Sequence, residues 1–314
     1  MSQSSGVKYY HREDSPRGHR TFIAVFLVLV LVFTMFAVKS FGKARVPEPV
    51  YVNVNAKSAI IIEAKSGKVL FEKNADQKLP PASMVKVMTA MIVMDRIPLH
   101  RRVIAGDSAI RVEPTIAGIK PGESYEVGDL IAAVLIKSAN DAAVVLAEAV
   151  SGSEKRFVEL MNRKARALGM KNTRFTSASG LPSKNKKNKQ YTTARDMARM
   201  MRYALRYKYI IETMAKTEDT IYGSDNVRLY LKTHNRSLFS KNGASWGKTG
   251  YTMEARRTFV GIDPSMKPKI VFSLLKSDDL WNDISTLKNK GLTIYNKRHK
   301  KFSFKKPFKW RRGR

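Results

Sequence analysis

The chain has 314 residues, of which 58 are lysine or arginine and 26 are aspartate or glutamate, so its formal net charge is +32. It contains no cysteine, which excludes disulfides, thiolate metal sites and a thiol nucleophile. Its five histidines are scattered without a metal-binding spacing, so neither a zinc peptidase nor another metal site is expected. The positive charge predicts attraction to polyanions.

The first 55 residues are predicted to tether the protein to a membrane. Residues 21–38 form an uncharged run of 18 residues, at the lower limit of what spans a bilayer. A polar leader at 1–20 precedes this run, and no good signal-peptidase site follows it. We therefore expect an uncleaved anchor with 1–20 in the cytoplasm and a linker at 39–55 leading to a domain outside. A cleaved signal peptide is the alternative.

The chain after the linker predicts one domain, 56–296, with strands at both ends and helices between them. Two β-rich runs joined by Lys65-Ser66-Gly67 indicate a hairpin. Apolar and amphipathic patterns predict helices at 128–137, 141–150, 154–168, 193–207 and 281–295. Short β-rich runs occupy 227–231, 246–251, 258–262 and 270–275. Because the first hairpin needs further strands, we expect a sheet that the C-terminal half completes.

Ser83 and Lys86 are the first candidates for chemistry. They lie three residues apart behind two prolines, which places both side chains on one face of a predicted helix. The apolar run at 87–94 predicts that this helix is buried all round. A hydroxyl and an amine there form a plausible nucleophile and base, and the helix N-terminus offers N–H groups to an oxyanion. The spacing alone is weak, because Ser-x-x-Lys also begins at Ser5, Ser40, Ser183, Ser245, Ser273, Ser285 and Ser303.

Two later triplets add to this pair. Ser138-Ala139-Asn140 lies between two predicted helices, where Ser and Asn favour ending one helix and capping the next. Lys248-Thr249-Gly250 lies within a predicted strand, where a glycine indicates close approach of a ligand or backbone, or else a hairpin corner. The lysine would supply positive charge and the threonine a hydroxyl donor to a carboxylate.

Taken together, SMVK, SAN and KTG form the motif set of penicillin-binding proteins and class A β-lactamases. The chain resembles the low-molecular-mass penicillin-binding proteins, the serine D-alanyl-D-alanine carboxypeptidases, over about 56–275. The likeness extends to SAIIIEAKSGKVLFEKNADQKLPPASMVKVMTA, SANDAA, the SGL turn, TTARDMA and GKTGYT. The resemblance implies an α/β (α+β) fold, with helices flanking a five-stranded antiparallel sheet, a helical lobe, and the active site between them.

The resemblance also implies catalytic roles by position. Ser83 would attack the peptide carbonyl between two terminal D-alanines, and Lys86 would accept the proton of its hydroxyl. Ser138 would lie in a proton path, and Asn140 would hold the substrate amide. No cofactor is implied, because a lysine freed of its proton by burial and neighbouring charge can act as the base.

The third motif would bind the substrate. Lys248 and Thr249 would contact the side of the terminal carboxylate, and Gly250 belongs to the same substrate-binding strand. The backbone N–H groups of Ser83 and Tyr251 would form the oxyanion hole. The implied substrates are peptidoglycan stem peptides outside the bacterial cytoplasmic membrane, on its periplasmic side, and β-lactam antibiotics are the implied inhibitors.

Two departures from the family pattern stand out. Ala139 replaces the glycine or aspartate common at the centre of the second motif, a position that contributes mainly backbone. The chain ends before the family's usual β-rich domain and C-terminal amphipathic helix, so we expect the anchor at 21–38 to do the tethering. The tail at 297–314 combines ten lysine and arginine residues with aromatics and no acid, which favours binding to anionic lipid or wall polymer, or a solvated end without a partner.

Three other functions remain open at this point. A D,D-endopeptidase would use the same residues on peptidoglycan cross-links. A β-lactamase needs a carboxylate to activate water, but the Glu-x-x-x-Asn loop of class A enzymes is not recognisable between residues 138 and 248. A non-enzymatic nucleic-acid-binding protein would explain the charge, but no nucleic-acid-binding motif accompanies it, so no nucleic acid partner is expected.

Overall fold

The computed structural model describes residues 26, 27, 29, 52–183, 185, 187–240, 243–267 and 269–300. The predicted anchor and tail therefore lie almost wholly outside the described residues. Within these ranges no helix is long and apolar enough to cross a membrane. The chain divides into two compact units, Met1–Pro49 and Val50–Arg314. All elements named below belong to the second unit.

The described part contains nine strands and seven α-helices. The strands are β1 Ser58–Glu63, β2 Val69–Lys73, β3 Arg102–Ile104, β4 Ser124–Glu126, β5 Glu218–Tyr222, β6 Arg228–Lys232, β7 Trp246–Thr252, β8 Arg256–Asp263 and β9 Ile270–Ser277. The helices are α1 Lys86–Met94, α2 Val127–Ala132, α3 Asn140–Ser151, α4 Glu154–Ala167, α5 Ala194–Ala204, α6 Lys208–Thr213 and α7 Leu280–Lys300. The helix predicted at 281–295 is therefore confirmed, and it continues into the first four residues of the predicted tail.

One antiparallel sheet joins the two ends of the domain, as the sequence predicts. Its strand order is β2-β1-β9-β8-β7, with Ile61 of β1 opposite Phe272 of β9. Successive side chains of β1 alternate between two cores: Ile60 faces the helical lobe, whereas Ile61 packs towards α7. Strand β7 forms one edge of this sheet, and it contacts the turn at Ala82–Val85 that precedes α1.

Helix α1 runs through the centre of the helical lobe. Every residue from Lys86 to Val93 is buried, which confirms the prediction of a helix without a solvent face. Helices α3, α4 and α5 pack against it. The helix predicted at 128–137, a mostly apolar stretch, consists of two parts: α2 is followed directly by a π-helical turn at Ala133–Lys137. Two hairpins, β3–β4 and β5–β6, form separate two-stranded sheets.

Candidate active site

The turn that carries Ser83 differs from the predicted geometry. Residues Ala82–Val85 form a 3-10 turn, and α1 begins only at Lys86. A 3-10 turn has three residues per turn and so aligns positions i and i+3 directly. Lys86 Nζ consequently lies 3.0 Å from Ser83 Oγ. Ala82, immediately before the serine, has a φ of +49°, a strained value for a residue with a side chain.

Lys86 is held by three acceptors in a buried environment. Its Nζ donates to Ser83 Oγ, to Asn140 Oδ1 at 2.7 Å and to the Ser179 carbonyl at 2.5 Å. Burial, and next the positive charge of Lys248, hold the pKa of Lys86 well below its ordinary value. An amine with a lowered pKa can be neutral near pH 7, which a proton acceptor requires.

Both polar side chains of the second motif, Ser138 and Asn140, lie beside the lysines of the other two motifs. Ser138 follows the π-helical turn with φ +63° and ψ +31°, the left-handed region that few residues other than glycine adopt. Asn140 is the first residue of α3 and does not cap it, contrary to the capping expectation. Its Oδ1 accepts from Lys86, and its Nδ2 donates to the Glu113 carbonyl at 2.8 Å.

The third motif lies on the edge strand β7. Lys248 is buried, and its Nζ donates to Ser138 Oγ at 2.9 Å and to the Thr249 carbonyl at 2.9 Å. A Cβ at Gly250 would lie 2.8 Å from the backbone nitrogen of Ser83. The glycine therefore allows the strand to approach the 3-10 turn that carries Ser83, which is the first of the two explanations considered for a glycine in this strand. The three motifs, far apart in sequence, meet in one site.

The sequence of the chain matches the model of a known family. A family model described as D-alanyl-D-alanine carboxypeptidase matches residues 43–271. The chain belongs to this family. The fold expected from the resemblance is also confirmed, because solved structures of D,D-peptidases superpose on this carboxypeptidase-family chain.

Three similar proteins illustrate the relationship. The D-alanyl-D-alanine carboxypeptidase DacF of Bacillus subtilis is 34% identical over 73% of this chain, which spans 59% of the length of DacF. A D-alanyl-D-alanine endopeptidase of Pseudomonas aeruginosa is 31% identical over 74% of this chain and 76% of its own length. The crystal structure of a D-alanyl-D-alanine carboxypeptidase from Mycobacterium tuberculosis has a TM-score of 0.73 at 29% identity and covers 79% of this chain and 95% of that one.

A loop that the sequence marks only as the SGL turn, Ser179-Gly180-Leu181, helps to hold Lys86 in this carboxypeptidase-family site. The carbonyl of Ala178 accepts from Thr89 Oγ1 at 2.7 Å, and the next carbonyl, of Ser179, accepts from Lys86. Glu154 Oε1 in turn accepts from the Ala178 backbone N–H at 2.8 Å. Burial raises the pKa of Glu154. Glu154 thus helps to position an acceptor of Lys86.

Asp141 is a second acid that the sequence analysis missed. Its carboxylate is buried and accepts three consecutive backbone N–H groups, from Ala117, Gly118 and Ile119, at 2.9–3.0 Å. It therefore fixes the loop that faces Asn140. The negative charges of Asp141 and Glu154 favour the charged form of Lys86 and partly oppose the lowering of its pKa. An aspartate directly after the motif, at the start of a mostly apolar helix, was the available signal.

No group of histidines, aspartates and glutamates within the described ranges is arranged to hold a metal ion. The polar groups that meet at Ser83 are two amines, two hydroxyls, an amide and backbone carbonyls. Such a set can move a proton and bind an anion.

The burial of Lys248 makes the stability of the fold depend on pH. Burial lowers its pKa from 10.5 to about 7. Between these two values the unfolded chain binds more protons at this residue than the folded chain does. Burial of Lys248 therefore lowers the free energy of unfolding. The reduction is complete below pH 7 and shrinks as the pH rises from about 7 to about 10.5.

Lys248→Met is expected to remove this dependence. The variant should have a higher free energy of unfolding than wild type, and this difference should be larger at pH 7 than at pH 10.5 by on the order of 5 kcal/mol. The figure follows from the shift of the pKa from 10.5 to about 7. Denaturant unfolding at several pH values measures the difference. Removing the positive charge of Lys248 also lets the pKa of Lys86 rise, which adds to the gain at low pH. Lys232→Met, at an exposed lysine of β6, serves as the control and should leave the pH profile unchanged. Parallel profiles for Lys248→Met and wild type would contradict the argument.

Proposed function

We propose that the protein is a serine D-Ala-D-Ala carboxypeptidase that removes the terminal D-alanine of peptidoglycan stem peptides through an acyl-enzyme. The observation that carries the proposal is the 3.0 Å contact between Ser83 Oγ and Lys86 Nζ. It joins a partly exposed hydroxyl to a fully buried amine whose pKa is lowered well below its ordinary value. Nucleophile and base are thereby within proton-transfer distance.

In the proposed acylation step, Ser83 Oγ attacks the carbonyl carbon of the last peptide bond while its proton passes to Lys86 Nζ. The negative charge that develops on the carbonyl oxygen is stabilised by the backbone N–H groups of Ser83 and Tyr251. When the C–N bond breaks, the leaving D-alanine nitrogen takes up a proton that Lys86 or Ser138 delivers. Water then hydrolyses the ester, which regenerates the serine and releases the shortened peptide.

The remaining motif residues bind substrate in this proposal. Lys248 and the hydroxyl of Thr249 contact the terminal carboxylate, with Gly250 allowing the close approach of the strand. Asn140 holds the substrate amide with the second N–H of its Nδ2, since the first donates to the Glu113 carbonyl and Oδ1 accepts from Lys86. Because Lys248 and Lys86 lie in the same site, an anionic carboxylate between them would relieve their mutual repulsion.

A β-lactam antibiotic should report on the same chemistry. Attack of Ser83 on the ring amide would open the ring and leave an ester on the enzyme. We expect a labelled penicillin to give a single adduct, mapped by mass spectrometry to the peptide that contains Ser83, and the purified full-length protein to release D-alanine from peptides ending in D-Ala-D-Ala. Ser273→Ala, at a serine with the same spacing to a lysine, is the matched control. No adduct and no released D-alanine would overturn the proposal.

The D,D-endopeptidase alternative draws support from the Pseudomonas aeruginosa relative of that name. The same residues would cut a cross-link whose terminal carboxylate occupies the Lys248 side. Comparing rates on a cross-linked dimer and on an uncross-linked pentapeptide decides between the two activities. A β-lactamase is disfavoured, because the hydrogen bonds of Glu148 and Glu154 go to Ser108 and Ala178 rather than to a position beside Ser83.

We further propose that residues 21–38 anchor the domain to the outer side of the cytoplasmic membrane and that the tail at 297–314 binds anionic lipid or wall polymer. The uncharged run and the ten basic residues of the tail support this, as does the location of peptidoglycan. Membranes washed at alkaline pH should retain the protein, and its sequence should begin near Met1. A mature N-terminus near residue 45 would exclude the anchor.

A further inference from the structure

Helices α1 and α4 both run from the active site to an end of the helical lobe that points away from it. Their first residues, Lys86 and Glu154, contact the backbone of residues 178–179. Their other ends meet where Lys164 Nζ, near the end of α4, pairs with Asp95, which follows α1, at 2.5 Å. The nine residues of α1 give it a length of about 14 Å at 1.5 Å per residue. The second end of the lobe is therefore separated from the active site by the length of α1.

This second end carries a cluster of exposed arginines, which come from the ends of three helices. We refer to the cluster as the distal basic face: Arg96 after α1, Arg163 and Arg166 on α4, and Arg206 after α5. None of the four forms an ion pair with an acid among the described residues. Asp95, the acid beside them, already accepts from Lys164 and from the hydroxyl of Tyr207, at 2.5 and 2.7 Å. The face therefore has positive charge to offer to an anionic partner.

Two of these arginines border a recess between the end of α1 and α4. The recess has a volume of about 280 Å³, enough for a headgroup phosphate. Arg96 lines it from the side of α1 and Arg163 from the side of α4, and Leu160 and Ala167 add apolar surface. A guanidinium group presents N–H donors in a planar fork that matches the oxygens of a phosphate. The chemistry of the recess is thus that of a phosphate group attached to an apolar body.

An aromatic ring joins the cations of this face. Arg206 Cζ lies 4.7 Å from the centre of the Tyr203 ring, and Lys164 Nζ lies 5.0 Å from the same centre. Tyrosine, with an apolar body and a polar tip, is enriched where proteins meet the headgroups of a bilayer. Stabilisation of the α4 dipole accounts for the basic residues of its last turn, Lys164 and Arg166. It requires neither Arg96 on the opposite side of the recess nor Arg206 on the ring.

We propose that the distal basic face binds an anionic phospholipid surface, with a headgroup phosphate in the recess between Arg96 and Arg163. Arginines that project from three separate helix ends suit separate headgroups in a plane, and each cation near such a surface adds to the attraction. Because the face and Ser83 lie at opposite ends of α1, a lobe bound in this way keeps its active site open on the side away from the lipid. Substrates then reach Ser83 without passing along the bilayer.

The absence of cysteine allows a single dye to be attached at a chosen position of the full-length protein. Ala167→Cys places the dye beside the recess, and Met253→Cys places it on the exposed turn after β7, near the active site. Each protein is added to vesicles of phosphatidylcholine alone, or of an equal mixture with phosphatidylglycerol, that carry a quencher on their headgroups. We expect stronger quenching at position 167 than at position 253 in the mixed vesicles only. This excess should disappear at about 1 M salt, where the Debye length falls to about 3 Å.

Two pairs of substitutions of equal charge test the residues of the face. Arg96→Gln combined with Arg163→Gln should lower the ratio of docked to undocked lobe by about 25-fold, or about fivefold for each arginine. Arg228→Gln combined with Lys232→Gln removes two exposed charges from β6 and should leave this ratio unchanged. Both double variants should release D-alanine at the wild-type rate in neutral detergent, which shows that the site is folded and keeps the result independent of the carboxypeptidase proposal.

Two results would overturn the membrane proposal. Equal quenching at positions 167 and 253 in the mixed vesicles, or an excess at position 167 that persists without Arg96 and Arg163, would place the lipid contact elsewhere on the chain. An anionic wall polymer is the other class of partner. If soluble poly(glycerol phosphate) bound the protein in neutral detergent through Arg96 and Arg163, while the mixed vesicles gave no excess at position 167, the face would belong to a polymer instead.

Discussion

Replacing Lys86 by methionine is expected to slow acylation of Ser83 by about 10²–10⁴-fold, the usual contribution of a positioned general base. Methionine fills a similar volume and keeps α1 apolar, but it cannot take the proton of the serine hydroxyl. The Ser179 carbonyl and Asn140 Oδ1 would also lose their donor. The rate of adduct formation with a labelled penicillin and the rate of D-alanine release measure the loss.

A second Ser-x-x-Lys of the same chain provides the matched control. Ser273 and Lys276 have the same spacing but lie on strand β9, where Ser273 is buried in the sheet. Lys276→Met should leave both rates at the wild-type level. If Lys86→Met remained as fast as Lys276→Met, Lys86 could not be the base, even if Ser83 were still acylated.

Replacing Gly180 by alanine is expected to destabilise the fold severely. Gly180 has a φ of +88°, and a Cβ there would lie 2.1 Å from the carbonyl oxygen of Ala82 and 2.9 Å from Val85 Cγ2. The 3-10 turn at Ala82–Val85 and the loop that contains Gly180 are in direct contact, so neither can move away without displacing the other. We expect a loss of more than about 4 kcal/mol in the free energy of unfolding, together with loss of acylation.

A substitution at Gly169 distinguishes the effect of the steric clash from the effect of the positive φ. It has a φ of +73°, but a Cβ there would meet no atom within 4 Å. Gly169→Ala should therefore cost only the roughly 1–2 kcal/mol of an unfavourable left-handed conformation. Denaturant unfolding of both variants measures the two costs. Equal losses at the two positions would show that the contact with Ala82 does not limit the substitution.

Local patterns predicted much of this architecture, because their signals lie within one segment. The apolar run at 87–94 predicted a helix buried all round, and the β-rich runs at both ends predicted a shared sheet. Gly250 within a strand predicted close backbone approach, which the structure explains by the proximity of Ser83. These inferences needed only periodicity, composition and the steric properties of glycine.

The remaining features depend on contacts between distant segments, which one sequence does not display. Asparagine is a residue type that favours helix caps, but Asn140 Oδ1 instead accepts a hydrogen bond from Lys86, 54 residues earlier. Glu154 belongs to an amphipathic helix, and its hydrogen bond to Ala178 becomes visible only when α4 packs beside the SGL loop. The strain at Ala82 and Ser138 likewise follows from tertiary packing rather than from the local preference of either residue.

The pairing of β1 with β9 has a consequence for the order of events in biogenesis. Ile61 of β1 pairs with Phe272 of β9, which lies about 210 residues later, so the middle of the sheet cannot form before β9 has been synthesised. At about 5–20 residues per second, a ribosome needs roughly 10–40 s for that interval. Strand β7, which brings Lys248 to Ser83, docks through β8 onto β9. A nascent chain that already contains Ser83 and Lys86 therefore lacks the strand that carries Lys248 in its folded place, and the site stays incomplete until β9 has been synthesised.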